Sequence, residues 1–469
     1  MRPPDRRVLL TLLVLALASR LAWGGWIHPT IDYLFRDMRG YWHNARQLVE
    51  HGLAPHRSLA FQAWGTHTLL ALPLALFGVF NLLPAAILWA CLAAAAVPLI
   101  YLVACRVCSR PWLPALVGVA ALLWYPNLVN SGLFLAEAPL LCFLTAAVWR
   151  LVVLLQTGRG ALACGLLCAA CIALRPETAI FVLLAFALWL RVRRDHPAAG
   201  PRHVALVALP IAAVLIFSAW HFHRHTGRAV GIAESAYINL TLARCQSPRV
   251  QGYDSPERFE REPDIDTGAV GTPLFRQRLQ SEHGGWLAVR PVFGTTPTTL
   301  EIPAEPAPLR IRIAKHGMSI QFIGDARDPA INAAILRACI ARTGLLGQLR
   351  ISASNLRGLW FYNSQWPDSS DKGEPWRPWS DAFVAVFQWL VWLPSLLGIF
   401  LALRGARQNP GLALCALPLL SSMLTAMIWF GEIRTRTPYD PLALLLAAEA
   451  CARGGAALRE QARRLTARA

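Results

Sequence analysis

Four short stretches place ionisable residues where an otherwise apolar chain has little use for them. LFRDMRGYWHNARQLVEHG (34–52) sets Asp37 between Arg36 and Arg39. SGLFLAEAPL (131–140) carries Glu137, and ALRPETA (173–179) carries Arg175 and Glu177. RTRTPYDPLALLLAA (434–448) carries Arg434, Arg436 and Asp440. A carboxylate such as Asp37 can take a proton from an attacking hydroxyl. It can equally cap a helix, which stabilises by ~1 kcal/mol. Arginines bind phosphate through paired N–H donors, or snorkel from a span end to the interface. Glu137 can orient a hydroxyl or pair with an arginine.

These residues need elements to hold them, and the composition says which kind. The chain has 469 residues, 55% hydrophobic and only 15% charged, with a mean hydropathy of +0.41. That is too apolar for a soluble enzyme and fits a multi-spanning membrane protein. The net charge of +18 sits mostly in arginine clusters between apolar runs. Membrane topology accounts for it without nucleic acid.

Apolar runs occur near 8–26, 66–80, 82–104, 111–127, 133–153, 161–174, 177–191, 203–220, 382–403, 411–430 and 439–452. If every run crosses from a cytoplasmic N-terminus, the basic segments CRVCSR (105–110), 158–160 and RVRR (191–194) fall outside, against the positive-inside rule. THTLLALPLALFGVF (66–80) is short and holds Pro73, so it is expected to re-enter or lie on the surface. Every later loop then changes sides, and the basic loops become cytoplasmic. About ten spans remain, the first taken as uncleaved. The outer face receives the 27–81 loop, the turns at 126–132 and 175–177, the 222–381 segment and the 432–440 loop. Ionisable residues gathered at span ends on one side are candidate site residues.

Three regions follow: an N-terminal membrane region 1–221 with its outer loop 27–81, an insert 222–381, and C-terminal membrane helices with a basic cytoplasmic tail, 382–469. The insert is read as a small extracytoplasmic α+β domain. TTLEIP (298–303), LRIRIA (309–314) and SIQFIG (319–324) read as strands. DPAINAAILRACIART (328–343) reads as a helix started by Asp328 and Pro329, and 348–367 as an amphipathic surface segment. Cys245 and Cys339 can pair if the compartment is oxidising. In the first loop, Met38, Tyr41, Trp42, Ala45, Leu48 and Val49 share one helical face, closed by His51 and Gly52.

Asp37, Tyr41, Ala45 and Gly52, followed by the LFG segment (76–78), resemble the first outer loop of the GT-C glycosyltransferases, which include protein O-mannosyltransferases and lipid A aminoarabinose transferases. The stretches around Glu137, Arg175 and Arg434–Asp440 are similar to later motifs of that superfamily, in the same order over 1–221 and 382–452. The resemblance implies a GT-C-like, all-α, multi-spanning enzyme of the cell inner membrane with its active site outside the cytoplasm. It would move a sugar, with inversion, from a polyprenyl-phosphate donor to a glycan, lipid or protein acceptor. Asp37 would be the base. Arg175, Arg434 and Arg436 would be phosphate partners, with Tyr41, Glu137 and Glu177 as further substrate contacts. Met38 stands where many relatives have a second acid, so no metal ligands are assigned and a divalent metal is left open as a cofactor.

Other signals are discounted. His221, His223 and His225 read as an outer juxtamembrane segment, and Cys105–Cys108 is a lone CxxC pair. No Walker loop or dinucleotide fingerprint occurs. The rival readings are a lipid or glycan transporter, against which the charges gather at one face and not at mid-bilayer, and a non-catalytic relative that binds glycans.

Overall fold

The computed structural model describes residues 3–34, 36–192, 200–228, 231–244, 298–302, 309–313, 320–322, 329–361, 377–429 and 431–466. It is dominated by helices because an apolar chain in lipid must satisfy each backbone N–H and C=O within its own segment. In chain order these are α1 (Arg6–Ala22), α2 (Arg36–His51), α3 (Trp64–Phe77), α4 (Leu83–Val107), α5 (Leu113–Leu122), α6 (Tyr125–Ser131), α7 (Glu137–Thr157), α8 (Ala161–Leu174), α9 (Ala179–Val192), α10 (Pro201–Thr226) and α11 (Ser235–Arg244). After three strands come α12 (Pro329–Phe361), α13 (Arg377–Leu390), α14 (Trp392–Arg404), α15 (Pro410–Ile428), α16 (Ile433–Arg436) and α17 (Asp440–Thr466).

Among the described residues, five helices are long and apolar enough to cross a membrane: Arg6–Ile27, α4, α7, α10 and α15. The pair α5 and α6, bent by 49°, adds a sixth if it is one broken span. Large apolar side chains such as Leu72, Leu76, Leu183, Leu209, Ile216 and Phe400 point outward, as lipid-facing surface does. The protein is therefore an all-α membrane protein by its helices. Length and composition reach five or six of the ten crossings expected from the apolar runs, and the shortfall has physical causes. At 1.5 Å per residue, the 14 residues of α8 or of α9 extend ~21 Å, against a hydrocarbon core of ~30 Å. The 382–403 run is divided between α13 and α14 at Val391. The last run opens α17, whose C-terminal third, LREQARRLT, is charged. The 66–80 run forms α3, also 14 residues long, with Pro73 inside it.

The chain divides into two compact units, Met1–Ile232 with Ser364–Ser422 and Arg434–Ala469, and Ala233–Asn363 with Met423–Ile433. The second unit contains β1 (Thr298–Ile302), β2 (Leu309–Ile313) and β3 (Ile320–Phe322), paired antiparallel in that order. It also contains α12, which is broken at Gly344. Arg244 reaches Gln348 and Ser352 of α12. Cys245, and so its pairing with Cys339, lies outside the described residues, as do 362–367 of the expected surface segment.

In the first unit, α4 is the central helix, with α1 and α7 against it. Leu12 and Ala16 of α1 meet Ala94, Val97 and Tyr101 of α4. Beneath the candidate site, Met38, Tyr41 and Ala45 of α2 pack with Leu70 and Leu74 of α3, Trp89 of α4 and Phe134. Thus the apolar face of α2 is a docking face onto the bundle, and its polar residues are left at the rim.

Candidate functional site

The site is assembled by four segments distant in sequence. The first is α2, which rests on α3. Trp42 Nε1 donates to the carbonyl of Val79 at 3.1 Å, and the Arg46 guanidinium covers the Phe80 ring. Gly52 closes the helix at φ +59°, its N–H bonded to the Leu48 carbonyl, a conformation glycine adopts without penalty. The helix begins at Arg36, so Asp37 lies inside the first turn and is not its N-cap. Its charge still suits the positive end of the helix, and its side chain is free to point outward.

The second segment is the lead into α7. Trp89 Nε1 donates to the Leu135 carbonyl at 2.9 Å, fixing buried Leu133–Leu135 so that Glu137 opens α7. The third is the end of α8. Here α3 approaches so closely that a Cβ on Gly65 would lie 2.5 Å from the Ala173 carbonyl group. This contact sets the height of Arg175, which caps α8, while Thr178 donates back to the Arg175 carbonyl. The fourth is α16, with the turn Thr437–Tyr439 that leads into α17.

Arg434 bridges two of these segments: Nη1 donates to Asp37 Oδ2 at 2.8 Å and Nε to Glu137 Oε1 at 2.7 Å. Arg175 Nη2 donates to the same Glu137 oxygen at 2.5 Å, and Arg175 Nη1 meets Glu177 Oε1 at 3.3 Å. Glu137 is the hub, its side chain 0% exposed, whereas the Asp37 side chain is 45% exposed. The network therefore has a dry end and a wet end, and Asp37 is at the wet end. Burial alone would lower the Arg434 guanidinium, but Glu137 and Asp37 outweigh it and hold it above its ordinary value. The Arg175 guanidinium follows the same balance, with Glu137 and then Glu177 raising it. Both arginines stay charged.

Tyr41 lies under this network. Burial, then the charges of Asp37 and Glu137, push its hydroxyl up, so it remains a protonated donor. Tyr439 is the residue that sequence reasoning missed. It is buried, and burial and Glu177 raise its hydroxyl, with Arg175 and Glu137 also within its electrostatic reach. Its place inside RTRTPYDP was the available signal.

Arg436, expected as a phosphate partner, is placed elsewhere. Its side chain is 1% exposed, with Nε 2.8 Å from Asp440 Oδ1 and the guanidinium carbon 3.8 Å from the Phe387 ring centroid. Asp440 also accepts from Trp124 Nε1 at 2.7 Å. This is a sealed pair in an aromatic wall and not part of the Asp37 network.

Two of the discounted histidines pack together with a third from another helix. His221 and His225 are one helical turn apart on α10, with ring centroids 4.4 Å apart, and His67 of α3 lies 6.3 Å from His221. Among the described residues, no group of three His, Cys, Asp or Glu side chains is placed to hold a metal ion. At the candidate site each carboxylate faces a guanidinium, so the arrangement does not fit a divalent cation. No protein-family model, curated protein or solved structure matches this chain.

Proposed function

We propose that this chain is an inverting glycosyltransferase of the cell inner membrane, multi-pass, using a polyprenyl-phosphate sugar outside the cytoplasm. In this reading the broken and shorter apolar helices complete a GT-C-like set of about ten spans, and the 222–381 segment is an extracytoplasmic insert. The observation that carries the reading is the Asp37–Arg434–Glu137–Arg175–Glu177 network, which unites four separate segments and leaves one carboxylate at its open edge.

The chemistry follows from what each group can do. An acceptor hydroxyl attacks the anomeric carbon from the face opposite the phosphate. Its oxygen forms the new glycosidic bond, its proton passes to Asp37, and the bond from the anomeric carbon to the phosphate oxygen breaks. The electron pair leaves with the polyprenyl phosphate. Arg434 and Arg175 stabilise the charge that grows on that phosphate, since each guanidinium has five N–H donors to share between carboxylate and phosphate. Glu137 holds both arginines in place, Glu177 steadies Arg175, and Tyr41 offers a hydroxyl. Asp37 is then set on one side by Arg434, and a positioned base of this kind contributes ~10²–10⁴-fold.

The closed pairing of acids with arginines also fits a non-catalytic relative whose rim binds glycans. Purified protein with radiolabelled polyprenyl-phosphate sugars separates the two. The transferase reading expects labelled product from the wild type, and donor binding without product from Asp37→Asn. Equal transfer by both proteins removes the base. Binding without transfer by the wild type favours the non-catalytic relative, and flux across vesicles without bond formation favours a transporter.

A further inference from the structure

Three histidines are buried where α3 and α10 meet the chain leaving α2. His67 is 0% exposed, His221 2% and His225 5%. Both ring nitrogens of His67, Nδ1 of His221 and Nε2 of His225 have no hydrogen-bond partner among the described residues. The remaining contact is different in kind. His225 Nδ1 accepts the backbone N–H of His56 at 3.1 Å. A backbone N–H can only donate, so Nδ1 carries no proton in this arrangement, and His225 is neutral with its hydrogen on Nε2.

That bond is half of a clasp. Arg224 Nε donates to the Leu53 carbonyl at 2.8 Å, so residues 53–56 are held to the end of α10 at two points. The same loop runs from Gly52 at the end of α2 into the turn Arg57–Ala60. Within that turn the Ser58 carbonyl accepts from Asn44 of α2 at 3.0 Å. The clasp thus bears on the helix that carries Asp37 and Tyr41.

We propose that His225 is a proton-sensitive latch: neutral, it holds the 53–56 loop against α10, and protonated on Nδ1 it turns a donor toward the His56 N–H and releases the loop, loosening α2. The latch stands whether or not the Asp37 site transfers a sugar. Its surroundings favour release once a proton arrives. The charged or titratable groups near His225 are His56 from the loop, His67 from α3, and His221 and Arg224 from α10 itself. No Asp or Glu occurs in α3, α8, α10 or residues 52–63 to neutralise a new cation. His67 does not compete for the proton, because burial and then its histidine neighbours push it down to about 3. Burial, then the Arg224 and His56 charges, lower the His225 imidazole in the closed clasp. The sign follows: the clasp is intact above the ordinary histidine value of about 6.5, which holds in the released loop, and weakens as pH falls below it.

The amide of His56 reports the bond directly through hydrogen exchange of the full chain in lipid nanodiscs, corrected for the intrinsic effect of pH. In the wild type its protection falls about tenfold per pH unit once His225 titrates, between pH 7.5 and 5.5. His225→Gln keeps an acceptor oxygen that does not titrate here, and its protection stays high at both pH values. His225→Leu lacks an acceptor and is unprotected at both. Equal wild-type protection at pH 7.5 and 5.5 overturns the latch, as does a wild-type fall in His225→Gln.

Discussion

Two ion-pair systems begin two residues apart on the same short helix and behave as opposites. Arg434 reaches Asp37 and Glu137, residues 397 and 297 positions away in sequence, and its network ends in an exposed carboxylate. Arg436 closes on Asp440, four residues ahead, in a pocket of Trp124 and Phe387 with almost no exposure. The open network is built from long-range contacts and keeps one acid in reach of a ligand. The sealed pair is local and unreachable. A buried ion pair adds little net stability over an apolar pair of the same shape, so its role is to fix the turn from which Arg434 extends.

The contrast can be broken by substitution, beginning with the largest effect. Asp37→Asn should lower sugar transfer by ~10²–10⁴-fold with little change in thermal unfolding, because the side chain is half exposed. A large loss of stability instead would make the open network a structural tie like its neighbour. Arg436→Met should destabilise by ~3–5 kcal/mol, as it leaves Asp440 buried without its partner. Adding Asp440→Leu should recover most of that loss in denaturant unfolding. Failure to recover would give the sealed pair a function of its own. Gly65→Ala should cost ~1–3 kcal/mol by forcing α3 off the end of α8, and transfer should fall with the displacement of Arg175. Full activity with unchanged stability would show that this close approach does not set the site. Smallest is Glu50→Gln, which removes a half-exposed pair with Arg46 on α2 and should shift stability by only ~0.3–0.5 kcal/mol.

How much of this was legible without coordinates differs from residue to residue. Asp37, Glu137, Arg175, Glu177 and Arg434 were readable as one group because charges in an apolar chain are tolerated in few places, and the positive-inside pattern predicts that their loops share a side. Arg436 was not separable from Arg434. In a loop both can face one way, but in α16 a two-residue step turns the side chain by ~200°, into the wall. Tyr439 was hidden for the same reason, since only the turn before α17 directs it toward Arg175. The apolar runs do not reveal where a helix stops, as the break at Val391 shows, so run length alone marks more candidate crossings than the five or six helices long and apolar enough to span. The histidine clasp depends on a bond to the His56 backbone, 169 residues from His225, and no residue pattern announces it.

The account depends most on which side of the membrane the open network faces. Reporter fusions after Ala54, Arg106 and Arg193 measure this directly. The account predicts an extracytoplasmic signal at Ala54 and cytoplasmic signals at Arg106 and Arg193. A cytoplasmic Ala54, with Arg106 and Arg193 outside, would contradict it.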